Sequence, residues 1–452
     1  MNKIFLLNKY NKYKTTFPII LLALIPYSFV IGPLVLEIVA SCISIYFIYF
    51  IFKEKKFFLL QNKFSFFFLL FYIYIVSRSI FSFDPFFSLK ASFFYFRFFF
   101  FIFGVLIILN QFKNAEKIFL QNSFISLILV FLGLVFEYLY FSKFSPYFNL
   151  SQTRFFSLFI NEPIPGSYMS RLLPFAILGI FYFFKKFDNN LTYKNILLIF
   201  LLILILISIY ITGERTSFFY SIFVLLIFFL FIKCKVKLKL IFLGIFLLLF
   251  FIINILDDRV STRMISFSKK QIFGDKEDVS FIIDNDPNNK DQISEMAQKI
   301  REFEANKFPG FSPEHKRHYY SAYLMFKDNV IFGQGPRTFR ILCQKENFFV
   351  PGACTTHPHN TLLQILAEIG LVGLVFYIAI LGWIMKFYTK ILIKRFFYRK
   401  SLSLNENFNI LYYCALSISF FPFITAGNFF NNWLSYFYYL PFAFIFKRSK
   451  KF

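Results

Sequence analysis

The sequence predicts an all-α, polytopic membrane protein of about twelve transmembrane helices, with one large loop late in the chain that contains helices of its own. Three observations carry this. Of 452 residues 58% are hydrophobic and 16% charged, Phe alone supplies 78, and the mean hydropathy is +0.61. A soluble domain is about half apolar and about a quarter charged. Apolar runs of spanning length, about 20 residues, recur from end to end. Basic residues gather in alternate connections between those runs. A soluble globular or disordered chain is thereby excluded.

Taken in order, spans are expected at about 16–33, 34–52, 64–81, 91–110, 118–140, 166–184, 195–212, 216–232, 240–256, 362–385, 407–426 and 432–446. Very short turns at Gly32-Pro33 and at Gly213-Glu214-Arg215 split two long apolar stretches. The chain divides into helices 1–9 over 1–256, a large loop over 257–361, and helices 10–12 over 362–452. With the N-terminus inside, the inner connections hold clusters such as Lys9, Lys12 and Lys14, then Lys53, Lys55 and Lys56, and later Lys386, Lys390, Lys394 and Arg395. An even helix count returns the C-terminus to the cytoplasm. No cleavable signal peptide and no internal repeat are apparent.

The loop 257–361 differs from the inner connections, with 15 Lys+Arg against 14 Asp+Glu and all four histidines. The excess of 49 basic over 24 acidic residues is therefore a topology signal, not a nucleic-acid footprint. Residues 257–312 are polar and read as a variable, mobile stretch. Ser312-Pro313-Glu314 then starts a helix running to about Lys327, and Gly333, Gly335 and Pro336 force a turn. Cys42, Cys234 and Cys414 read as packing residues. Cys343 and Cys354 share the outer loop, where an oxidising compartment permits a disulfide flanking the histidine motif.

Two constellations carry chemistry. Thr356-His357-Pro358-His359-Asn360, followed by Gln364 and Glu368, sits where the loop re-enters the membrane. A histidine there exchanges protons near neutral pH, and Asn360 caps the helix behind it. The plainer alternative is that His359 caps and Glu368 anchors. The second constellation is a set of arginines near the outer leaflet, Arg78, Arg97, Arg171 and Arg215. Cations at that depth want an anion, and guanidinium suits phosphate. Snorkelling, or pairing with Glu137, Glu162 and Glu214, is the competing reading. His315 and His318 with His357 and His359 match no standard metal spacing.

These residues resemble a known family. Thr356 to Asn360, Gln364 and Ala367-Glu368-Ile369-Gly370-Leu371-Val372-Gly373 are similar to the signature of the O-antigen ligase and polymerase superfamily. Gly213-Glu214-Arg215-Thr216 resembles its arginine motif at an outer turn. Tyr95-Phe96-Arg97-Phe98, Gly166 to Arg171, and Phe332 to Arg340 resemble further ligase-type segments. The resemblance implies a metal-independent, inverting glycosyltransferase of the bacterial inner membrane, with both termini cytoplasmic and its active site facing the periplasm. The implied donor is a glycan on undecaprenyl pyrophosphate, the ligase acceptor is lipid A–core, and no cofactor is needed. Arg215, with Arg97 and Arg171, would bind the pyrophosphate, and His359 would activate the acceptor hydroxyl, supported by His357, Asn360 and Glu368. A polymerase of the same superfamily, using a second lipid-linked glycan as acceptor, is the runner-up. A lipid-linked sugar flippase or transporter is a third reading, disfavoured because the ionisable residues gather at the outer face rather than the midplane.

Overall fold

The computed structural model describes residues 2–144, 154–159, 162–184, 191–231, 236–269 and 311–449. Among them the chain is helical with no strand. The helices are α1 (Asn2–Ile31), α2 (Pro33–Glu54), α3 (Lys63–Ile80), α4 (Pro85–Ser92), α5 (Phe96–Gln111), α6 (Ala115–Phe144), α7 (Pro165–Phe184) and α8 (Leu191–Ile211). They continue as α9 (Arg215–Phe231), α10 (Val236–Leu256), α11 (Asp258–Ser261), α12 (Pro313–Asp328), α13 (Phe339–Leu342), α14 (Thr361–Leu392), α15 (Leu404–Ser419) and α16 (Asn432–Arg448). Among the described residues six helical segments are long and apolar enough to cross a membrane: Pro33–Glu54, Lys63–Ile80, Pro85–Gln111, Ala115–Tyr140, Val236–Leu256 and Thr361–Phe397. They support a multi-pass membrane protein.

The centre of the bundle is α16. Every residue from Trp433 to Phe446 is buried, and the helix packs on α5 and α15. At the periphery α10 carries exposed Leu243, Leu247, Leu248 and Phe251, the surface a bilayer would cover. At one end Glu116 of α6 takes Lys447 at 2.7 Å and Arg448 at 2.6 Å from α16, a buried ionic tie between two distant parts of the chain.

Four expectations are corrected. The helix expected at 91–110 begins earlier, because Asp84 caps the Phe87 N–H at 2.9 Å and Pro85 opens α4. A 3-10 turn at Phe93–Tyr95 follows, so Arg97 is the second residue of α5 rather than six residues into a straight span. The helix expected to reach 426 ends at Ser419, since Pro422 cannot continue it, and 420–431 becomes an irregular connection. Of the stretch 257–312, residues up to Ser266 form α11 and a π turn, while 270–310 and Cys234 lie outside the described residues. The fourth correction concerns the span expected at 362–385.

That helix runs as α14 to Leu392 and is broken at Gly370, whose φ is 61°. A break frees backbone groups, and residues 330–335 fill them. Gln334 and Gly335 donate to the carbonyls of Ala367 and Glu368 at 2.9 and 2.7 Å, while Leu371 and Val372 donate to those of Val330 and Ile331 at 2.9 and 3.2 Å. A side chain at Gly370 would meet the Ile331 carbonyl oxygen at 2.4 Å, so only glycine permits this docking. The turn after α12 is thereby locked into the middle of a helix.

Candidate active site

Three short segments build one end of the bundle. Residues 355–360 are stitched to the 420–431 connection: Ala426 N–H donates to the His359 carbonyl at 2.8 Å, His357 Nε2 meets the Ala426 carbonyl at 3.2 Å, and Asn360 Nδ2 donates to the Pro422 carbonyl at 3.2 Å. Asn360 also caps α14, its Oδ1 accepting from Leu363 N–H at 3.0 Å. Below it Gln364 donates to Glu368 at 3.0 Å and to Asn428 at 2.9 Å. Glu368 is wholly buried and accepts from Phe339 N–H at 3.2 Å. Cys343 and Cys354 are disulfide-bonded, tying α13 to the approach to the histidine motif.

The third segment is the turn between α8 and α9. Gly213 there has φ 74°, and the Glu214 that follows is buried. Its carboxylate accepts from the N–H groups of Gly166 and Ser167 at 2.7 and 2.8 Å and from Ser217 Oγ at 2.9 Å. It thus completes the start of α7, and burial pushes its carboxyl up despite those bonds. Arg215 is left at the mouth of α9. Arg263, from the π turn, donates to the Gly213 carbonyl at 3.0 Å.

These walls enclose a cavity of about 1320 Å³. Both Arg215 and His359 line it, with Arg171, His315 and His357. Four arginines without an assigned role in the sequence reading line it too: Arg154, Arg263, Arg337 and Arg340. Among the described residues the acids on the lining are Glu162 and Glu214, so this lining is strongly cationic. Arg171 is 5% exposed and donates to the Ser167 carbonyl and hydroxyl, leaving its buried Nε without a partner.

Two expected arginines stand elsewhere. Arg97 is ion-paired with Glu37 at 3.6 Å and donates to Asn432, a residue of the cavity wall. Arg78 donates to the carbonyls of Gly333 and Phe81, both at 2.8 Å, and braces the locked turn. Glu137, considered as an arginine partner, instead accepts the N–H groups of Phe156 and Ser157.

The four imidazoles cluster around His359. Ring centroids of His357 and His359 are 4.1 Å apart, His318 and His359 5.3 Å, and His315 and His359 5.5 Å. Three of them have partners: His315 Nδ1 with Ser312 Oγ at 2.5 Å, His318 Nδ1 with the Ala353 carbonyl at 2.7 Å, and His357 with Thr356 and Ala426. Among the described residues the His359 imidazole makes no hydrogen bond. Burial, then His315 and His318, push it down to about 4. Burial and His359 hold His357 lower still, at about 3. At neutral pH both rings are uncharged. No group of three or more His, Cys, Asp or Glu among the described residues is disposed to hold a metal ion.

Such a cavity can neutralise an anionic leaving group and take a proton beside it. No curated protein matches the chain. Residues 200–378 match the model of the O-Antigen ligase family, whose members are membrane glycosyltransferase-like enzymes. The matched stretch contains Arg215, Arg263, the four histidines and Glu368. That match, over residues 200–378, is a likeness to an O-antigen ligase domain and supports the O-antigen ligase-like superfamily.

Proposed function

We propose that this protein transfers a glycan from undecaprenyl pyrophosphate to a sugar hydroxyl of lipid A–core at the periplasmic face of the bacterial inner membrane, by metal-independent, inverting chemistry. The observation that carries the reading is the convergence of Arg215 and His359, whose imidazole makes no hydrogen bond among the described residues, on one cationic cavity. A diphosphate leaving group needs charge compensation more than covalent help. Arg215 takes that part, with Arg171, Arg154 and Arg263 around it. Twelve spans, both termini cytoplasmic and the loop 257–361 periplasmic, complete the reading and put the cavity where the lipid-linked donor and its acceptor meet.

The step balances without a cofactor. The acceptor hydroxyl gives its proton to a ring nitrogen of His359 as its oxygen attacks the anomeric carbon. The carbon–oxygen bond to the diphosphate breaks on the opposite face, and the electron pair leaves with the diphosphate, held by guanidinium groups. An uncharged imidazole is the form that can accept the proton. The bound diphosphate, being anionic, raises the affinity of His359 for it.

The test is transfer by the purified protein in vesicles from a lipid-linked glycan to lipid A–core. Product on lipid A–core is expected. Elongation of the lipid-linked glycan instead would make it a polymerase, and no transfer to either acceptor would refute both.

A further inference from the structure

The cations of the cavity fall into two groups, and the mechanism above uses one. Arg215 and Arg263 belong to the wall made by the α8–α9 turn, where Arg263 holds the Gly213 carbonyl. Arg337 and Arg340 stand on another wall, their guanidinium carbons 5.7 and 5.9 Å from the ring centroid of Phe87 in α4. The histidine cluster feels both walls: His315 feels the field of Arg215, which helps push that imidazole down, and His357 feels Arg340.

Among the described residues the Nε atoms of Arg337 and Arg340 are buried without a hydrogen-bond partner, and neither guanidinium has an ion pair. Glu368, whose field reaches Arg337, already accepts from Phe339 and Gln364. The backbone is fixed as well: Arg337 has φ 62°, the Pro336 carbonyl accepts from Ser88 Oγ at 2.9 Å, and Gly335 is docked on α14. Desolvated guanidinium groups without a counter-charge are costly, and a scaffold that holds two of them in place is completed by an anion.

We infer that Arg337 and Arg340 form a second anion subsite, on a different wall of the cavity from Arg215, which grips a negatively charged group on the acceptor glycan. The inference rests on the glycosyl-transfer reading and adds the acceptor's chemical class: a sugar carrying phosphate or carboxylate, not a neutral one. The cavity of about 1320 Å³ exceeds the range of about 300–1,000 Å³ usual for one small ligand, so a donor head group and an acceptor sugar fit together. Two guanidinium forks on one anion fix its orientation, which turns the neighbouring hydroxyl toward His359.

Equilibrium binding to the full chain in nanodiscs tests this. The probes are a short-chain prenyl diphosphate, a phosphorylated oligosaccharide, its dephosphorylated form, and an oligosaccharide bearing a uronic acid. At least one charged oligosaccharide is expected to bind the wild type at least tenfold tighter than the neutral one. Saturating prenyl diphosphate should not displace it, and whichever charged form binds tighter names the anion. Arg337→Gln with Arg340→Gln should erase the preference and leave prenyl diphosphate affinity within twofold. Equal binding of charged and neutral forms, or displacement by prenyl diphosphate, overturns the inference on wild-type protein alone. A preference that survives in a folded double variant overturns it too. Failure of the donor assignment reads separately, as prenyl diphosphate affinity that Arg215→Ala does not change.

Discussion

His359 holds a backbone conformation, φ 55°, that few residues other than glycine adopt. Such a conformation costs about 1–3 kcal/mol and persists where surrounding bonds over-determine it, here through Ala426 and the Asn360 cap. Its imidazole is held at about 4, below the ordinary value near 6.5, and only the uncharged ring can take a proton. The acid limb of kcat/KM for the donor, which reports the free enzyme, is therefore expected near pH 4. A midpoint at 6.5 would mean an ordinary exposed histidine. At this scale the histidine motif, Arg171 and Arg215, all singled out in the sequence, line one cavity. The sequence could not tell which way a guanidinium points. Arg97 and Arg78 were grouped with them yet are taken by Glu37 and by backbone carbonyls. Arg263 arrives from the stretch 257–312, read only as polar, and Arg154 from a connection between spans that received no reading of its own.

The elements that position the site are α14 and what docks on it. The Gly370 break was invisible in the sequence, where 362–385 reads as one apolar run and helix periodicity carries no sign of an inserted turn. Its partner Gly333 was legible as a turn but not as the piece that fills the break. Gly370→Ala forces a side chain into the Ile331 carbonyl and is expected to lower stability by about 1–3 kcal/mol, seen as a lower apparent melting temperature in detergent. An unchanged melting temperature would mean that the docking is dispensable. The Cys343–Cys354 bridge spans 11 residues, for which loop-closure entropy gives about 2–3 kcal/mol. Replacing both by Ser should cost about that much on unfolding in denaturant. Alkylation of both thiols in non-reduced protein would dismiss the bridge outright. The connection 420–431 shows the opposite failure of reading: hydropathy extended α15 through Pro422, although proline was the residue that ends it.

Across the whole molecule, the all-helical multi-pass class was the most legible feature, because partition between water and lipid depends on sums over many residues. Packing order was not legible: that α16 is the buried centre, tied to α6 through Glu116, Lys447 and Arg448, depends on contacts between residues hundreds of positions apart. Function at this scale is read by deleting the gene and resolving the lipopolysaccharide on a gel. The ligase reading expects polymer left on the lipid carrier and none on lipid A, whereas a polymerase deletion would attach single repeat units. The most direct test of the division of labour in the cavity measures donor binding and single-turnover transfer together in His359→Ala and Arg215→Ala. Both variants should lose transfer by about 100-fold or more. His359→Ala should bind the lipid diphosphate donor as the wild type does, while Arg215→Ala binds it at least tenfold more weakly. Wild-type transfer by either variant, or equal donor binding by both, would contradict the account.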